Sequence, residues 1–400
     1  MQEPEIRKSD LETWADYLVD HSIGGVKAGE RVMIKGERIC WPLMAVLERK
    51  VIAGGGIPDV CLVPPNNDRG RVWSAAMGLH GGPEQITAVP DWHKARYESF
   101  DKYIEVLGAE DPSLYGGLSP AQAGAIVGAD APFAGIRLVK PWVITLYPTP
   151  GMAAMEGIPL EEYVDFIVRA STVDPRPLKA AEELISPLID AGRTIEIVTV
   201  HPDDGRELRL TMGLEPSRAE LCYGTRNFPD GEVFTSPDAN TPAGEVFVDL
   251  PVHHGGREIR GIHLRLEGGR IVEYSARAGG EQLESIIETD EGSRRLGEVA
   301  LGMNPGLDRV LKHPLFVEKV GGTAHIAIGR SYPECYVAAD AVGSDEARAE
   351  IERLKGLGVI NDSAQHVDIV IDFRPGGAGR RCSIDGRELV VRDGVWVPAG

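Results

Sequence analysis

The chain has 400 residues, 42% of them hydrophobic and 26% charged, with 61 acidic against 42 basic side chains and a formal charge of −19. Such length and apolar content suffice for a sizeable core and for two or three domains, while the acidic balance argues against nucleic acid or an anionic membrane as partner, since both need a basic face. The five cysteines are scattered and form no C-x-x-C pair, which disfavours a disulfide framework or a thiolate zinc site.

No stretch has the length of uncharged apolar sequence that a membrane helix needs, and "MQEPEIRKSDLETW" carries charges where a signal peptide needs its apolar region. The expected location is therefore the cytoplasm. In chain order, "RVMIKG" (31–36) reads as a strand, followed by a helix opened by Pro42 with Leu43, Val46, Leu47 and Val51 on one face. "GGGIP" (54–58) stops that helix, and "DVCLVP" follows as a second strand, so the first half is predicted to be an α/β domain with a parallel-type sheet. The triple glycine ends a helix instead of opening one and is no dinucleotide fingerprint.

A helix opening at Pro159 places Leu160, Tyr163, Val164, Ile167 and Val168 on one stripe, and "PLKAAEELISPLIDAG" (177–192) is a further helix ending at glycine. The texture then changes. Segments 193–200, 244–252, 257–276, 322–329, 365–373 and 386–397 are β-rich and separated by Gly-Gly, Asp-Gly or Asn turns. The expected organisation is an α/β domain over 1–190 and a β-rich (α+β) domain over 191–400.

The chemistry concentrates in the second half. Glu232 in "FPDGEVFTSP" runs directly into an apolar aromatic pair, and Glu298 in "RRLGEVALG" is set among Leu296, Val299, Ala300 and Leu301, at the predicted end of a helical stretch. A carboxylate in such surroundings is costly unless a cation or hydrogen-bond donors meet it. His325 lies inside the apolar run "AHIAIGRSY". His366 and Asp368, two apart in "QHVDIVIDF", share one face of a strand and make a half-site for a divalent ion. Two other histidine patterns read as decoys: "HPD" at 201–203 as a surface turn, and His253–His254 as part of the turn "HHGG".

The stretches "NFPDGEVFTSP", "ETDEGSRRLGEVALG", "LFVEK", "GTAHIAIGRSY" and "NDSAQHVD" occur in the order in which they occur in the M29 metalloaminopeptidases. From about residue 140 onward, and more weakly before it, the chain resembles that family, the aminopeptidase T and aminopeptidase S group. The resemblance implies that Glu232, Glu298, His325, His366 and Asp368 are metal ligands and that Tyr332 is the active-site tyrosine. A further family glutamate stands in a segment usually written Leu-Phe-Asp-Glu-Asn-Ala. Here it reads "LFVEKVGG" and points to Glu318, with Val317 and Lys319 in place of the aspartate and asparagine and two extra glycines before His325.

Six such ligands, four of them carboxylates, suit two divalent ions of zinc or cobalt type, with manganese a further candidate; magnesium or calcium would gain nothing from two imidazoles. The implied activity is hydrolysis of an N-terminal peptide bond by a two-metal-activated water, with Tyr332 donating to the developing oxyanion and Glu298 carrying protons to the leaving amine. The resemblance also implies a homodimer. Three alternatives stand beside it: a mononuclear iron(II) ring-cleaving dioxygenase of the dihydroxypyridine type built on His325, His366 and Asp368, a hydrolase of a small non-peptide amide, and a non-catalytic metal-stabilised β module. The segment 333–360, an insertion before the His366 strand containing a helix at 344–356, is expected to shape or cover the substrate pocket.

Overall fold

Apolar runs alternating with amphipathic stretches build a five-stranded sheet in the first half of the chain, with β1 (Arg31–Glu37), β2 (Ile57–Val63), β3 (Lys102–Leu107), β4 (Trp142–Leu146) and the short β8 (Asn227–Phe228) in the order β2-β1-β3-β4-β8. Every pair in it is parallel. The helix Trp41–Ala53 carries Pro in its first turn and buries Leu43, Met44, Val46, Leu47 and Val51, the face that its spacing predicts. The computed structural model describes residues 4–63, 73–111, 118–254, 257–338, 341, 343–375 and 379–399.

The chain divides into two units: Met1–Pro175 with Gly224–Pro229, and Arg176–Tyr223 with Asp230–Gly400. The split at Pro175/Arg176 lies ahead of the position near 190 expected from the change in texture. The helix Arg176–Ala191 goes with the second unit because Ile185 and Ile189 on its apolar stripe enter that unit's core.

The second unit is built on two sheets. A nine-stranded sheet contains β5 (Thr194–Val200), β6 (Glu207–Gly213), β10 (Ala243–Val248), β11 (Val252–His254), β12 (Arg257–Glu267), β13 (Arg270–Ala278), β17 (Arg381–Ile384), β18 (Arg387–Arg392) and β19 (Val395–Pro398). A five-stranded antiparallel sheet contains β7 (Glu220–Cys222), β9 (Glu232–Thr235), β14 (Leu296–Gly302), β15 (Thr323–Gly329) and β16 (His366–Asp372), in the order β16-β15-β14-β9-β7. One face of each sheet contributes to a single core, in which Ile195, Ile197, Leu210, Val246 and Leu264 join Val299, Leu301, Ile326, Ile328, Ile369 and Ile371.

Two local expectations are corrected. Leu296–Gly302 is a strand, not a helix end: all seven of its residues are buried, and a run buried on both faces suits a strand in the middle of a sheet. His253 and His254 lie on β11, paired with β12, and not in a turn; His253 Nε2 is 3.5 Å from a Glu258 oxygen. The predicted turn at His201–Asp203 is present. All five cysteines are free thiols. Among the described residues no helix is long and apolar enough to cross a membrane.

Candidate functional site

The site grows from the alternation of one sheet. On β15, Ala324, Ile326 and Ile328 point into the core and His325 and Ala327 point away from it; on β16, Val367, Ile369 and Ile371 point in and His366, Asp368 and Val370 point away. Register then fixes the neighbours. Ala327 pairs with Glu298 on one side and Asp368 on the other, while His325 pairs with Ala300 and Val370. Ala327 has only a methyl group, so the two carboxyl side chains flanking it lean together over it. Glu232 enters from β9, where it pairs with Gly302.

Glu298 reaches this face through a local irregularity. Leu296 is in the core, so plain two-residue alternation would send Glu298 there as well. The register instead shifts between Leu296 and Glu298, and the extra residue, Gly297, reverses the phase. A Cβ at Gly297 would lie 2.3 Å from the carbonyl oxygens of both Gly329 and Arg330, so the bulge needs glycine.

Five of the six expected ligands thereby converge in two overlapping triads. Ligand atoms of Glu232, Glu298 and His325 lie within 4.8 Å of one another, and so do those of Glu298, His366 and Asp368. Glu298 belongs to both. Its Oε1 is 3.3 Å from His325 Nε2, and its Oε2 is 3.0 Å from His366 Nε2. His325 Nε2 also lies 3.7 Å from Glu232 Oε2 and 3.9 Å from Asp368 Oδ1. His366 Nδ1 is 2.8 Å from the carbonyl of Arg330, an acceptor that fixes the tautomer and leaves Nε2 facing the site. Glu232 is 5% exposed, Glu298 3% and His325 1%.

Burial and charge oppose each other here. Burial alone would lower both imidazoles, but Glu298, Glu232 and Asp368 push His325 up to about 9, and Asp368 with Glu298 pushes His366 up to about 11. Burial would raise Glu298 and Asp368, yet the imidazoles hold both below the ordinary carboxylate range. The cluster is thus a set of acids that gathers positive charge.

Glu318, the sixth expected ligand, is at the edge of this set. It shares a hydrogen bond with Asp368 and, with burial the main cause and Asp368 next, its carboxyl is pushed well above the ordinary range. Tyr332 packs its ring 4.8 Å from that of His366 and 5.2 Å from that of Phe234, and its amide donates to Ser236 Oγ at 2.8 Å. Burial, then Glu298 and Asp368, raise its phenol, which stays an O–H donor. The segment after Tyr332 packs on the same sheet face: Cys335, Tyr336, Leu354 and Ile360 cluster with Phe234 and Ala300.

Four neighbours escaped the sequence reading. Lys319 Nζ donates to Glu232 Oε1 and lies 3.3 Å from Glu318 Oε2. Behind Glu232, Cys222 and Asp230 form a third convergence with it. Glu182 is fully buried, and its carboxyl is pushed up to about 10 by burial and then by Asp230 and Glu232. The signal for Glu182 was available: it precedes Ile185 by three and Ile189 by seven, on the apolar stripe of its own helix. Cys222 shares a face with Glu232 through a pairing that only the sheet order reveals.

Acids and imidazoles converging on one sheet have the make-up of a divalent-metal centre. The profile of the Peptidase_M29 family, described as thermophilic metalloprotease (M29), matches residues 7–396, and the chain belongs to that family. It is 30% identical over 359 residues to aminopeptidase T of Thermus aquaticus, across 79% of this chain and 82% of that one. It is 26% identical to aminopeptidase PepS of Streptococcus thermophilus, across 98% of each chain. In fold it is similar to wild-type AmpT from Thermus thermophilus, with a TM-score of 0.71 at 23% identity over 98% of both chains.

Proposed function

We propose that this protein is a metallo-aminopeptidase that hydrolyses the N-terminal peptide bond of peptides at a centre holding two divalent ions. The observation that carries this reading is the placement of Glu298, whose two oxygens each face a different imidazole and a different triad. The family and the aminopeptidase names of its relatives supply the reaction class.

The residues fit such ions on their own chemistry. Glu232 Oε2 and Asp368 Oδ1 are buried oxygens without a hydrogen-bond partner, and both face the centre. Buried oxygens of this kind are costly unless a cation meets them. Glu232, Glu298 and His325 would hold one ion, Glu298, His366 and Asp368 the other, and Glu318 would complete the set beside Asp368. Two imidazoles among carboxylates suit zinc, cobalt or manganese. Bound there, such ions supply a nucleophilic water at neutral pH and polarise the scissile carbonyl.

The chain's own groups do the rest. Tyr332 stands beside His366 with its hydroxyl protonated and donates a hydrogen bond to the oxygen that gains charge as the carbonyl is attacked. Glu298 carries a proton to the leaving amine. The described residues of segment 333–360 pack on the same face through Tyr336, Leu354 and Ile360 and would bound a substrate pocket on one side. The proposed setting is a homodimer in the cytoplasm, which rests on the family resemblance and the sequence alone. A mononuclear ring-cleaving iron site on His325, His366 and Asp368 would leave Glu232 and Glu298 buried without a task, and the relatives that match are aminopeptidases.

Elemental analysis of the purified protein, run alongside release of a chromophore from aminoacyl-p-nitroanilides, tests the proposal. Two zinc, cobalt or manganese ions per chain with release supports it. One iron per chain and no release contradicts it.

A further inference from the structure

The two triads share Glu298 but differ in what surrounds them. In the triad of Glu298, His366 and Asp368, the described ion pairs of the two acids are with imidazoles only. His366 is fixed from behind by the Arg330 carbonyl at 2.8 Å. In the triad of Glu232, Glu298 and His325, a side-chain cation is already bonded to a triad member: Lys319, 3% exposed, donates to Glu232 Oε1, while its other carboxyl neighbour, Glu318 at 3.3 Å, belongs to neither triad.

That lysine is built in. Its amide donates to Phe316 O at 3.1 Å, and its carbonyl accepts from Asn304 N at 3.1 Å. Asn304 in turn donates from its side chain to the carbonyl of Asp230 at 2.5 Å, and Met303 N bonds Gly231 O at 2.8 Å. Lys319 and Glu232 are therefore tied to one brace, and the contact between them follows from the backbone. The ammonium takes one oxygen of Glu232 and leaves the other, Oε2, toward His325. A fixed positive charge one carboxyl group away opposes a dication, and in a buried site this opposition is poorly screened.

We infer that Lys319 makes the two half-sites unequal, so that the ion held by Glu298, His366 and Asp368 binds first and tightly, and the ion held by Glu232, Glu298 and His325 binds second and weakly. Lys319 is thus a positioning and tuning residue that acts through Glu232. The inference rests on the two-ion reading above and concerns how the ions load. It also gives a consequence to the departure from the family segment at this position, where lysine replaces asparagine.

Calorimetric titration of the chelator-stripped full-length protein with cobalt(II) tests it. The expected result is two phases, the second weaker by about tenfold or more. Glu232→Gln should remove the weak phase alone and His366→Ala the tight one. Lys319→Met should tighten the weak phase by about tenfold or more, whereas Lys319→Arg should leave it weak. If Lys319→Met fails to fold, shown by loss of its thermal transition, Lys319→Gln takes its place, and a weak phase left unchanged in the folded neutral variant overturns the role of Lys319. Two phases of equal affinity, or loss of the tight phase in Glu232→Gln, overturn the inference and leave the two-ion reading intact. A wild-type protein that takes up no cobalt at all overturns both.

Discussion

The two faces of the sheet β16-β15-β14-β9-β7 are made from the same strands, residue by residue, and do opposite work. One carries Val299, Leu301, Ile326, Ile328, Ile369 and Ile371 into a dry core. The other carries Glu232, Glu298, His325, His366 and Asp368 toward one another. The difference teaches how a fold holds costly groups. Each of these residues has at least one core neighbour along its strand, Val233, Val299, Ile326, Val367 or Ile369, that pins the backbone, so these side chains cannot move apart without disturbing the core.

Mutations on the two faces of this sheet can break the comparison. Ile326→Asp buries an unpaired charge on the apolar face and should cost about 5 kcal/mol, enough to prevent cooperative folding as followed by denaturant titration. Glu298→Gln, on the other face, keeps the shape and the fold. Its metal-stripped form should still fold cooperatively, less stable than wild type because two buried imidazoles lose a partner, while metal is lost from both half-sites and turnover falls by about 10³-fold or more. Gly297→Ala tests the bulge that separates the faces. It should cost about 3 kcal/mol, since its methyl group meets two carbonyl oxygens at 2.3 Å, and it should weaken metal binding by turning Glu298 aside.

Smaller effects sharpen the contrast. Tyr332→Phe should lower turnover by about 10²-fold with metal content unchanged, because a single donor is lost and no ligand is. Unchanged turnover would remove the role given to its hydroxyl. In the metal-stripped protein His325 and His366 titrate near 9 and 11, above the unfolded imidazole, which titrates at about 6.5. Their contribution to stability is fully present below pH 6.5; that of His325 is lost as pH rises through 9 and that of His366 as it rises through 11, so between pH 7 and 9 the stripped protein should lose on the order of 4 kcal/mol. The loaded protein, with neutral imidazoles already on the ions, should lose less. Equal slopes in thermal scans across that range would count against the two histidines as ligands.

Much of this face was legible in the sequence. His366 and Asp368 are two apart and share a face on any strand, and His325 sits between core residues in a clean alternation. Glu298 was found by its apolar neighbours and its motif, but its secondary structure was misread. In "LGEVALG" it has the parity of core Leu296, and only the bulge at Gly297 turns it outward. The five-stranded parallel sheet of the first unit was readable as strand-helix alternation, whereas the pairing of β4 with Asn227–Phe228 was not, since those residues follow it by some eighty positions. Lys319 was visible only as a departure from a family segment; that its ammonium meets Glu232, on another strand, depends on the Asn304 brace that joins the two segments.

The most direct test of the account is anomalous diffraction from crystals soaked in saturating cobalt(II). The account predicts two peaks in each chain, one against Glu232, Glu298 and His325 and one against Glu298, His366 and Asp368, with the Glu298 carboxylate touching both. A single peak, or two peaks that Glu298 does not join, would contradict it.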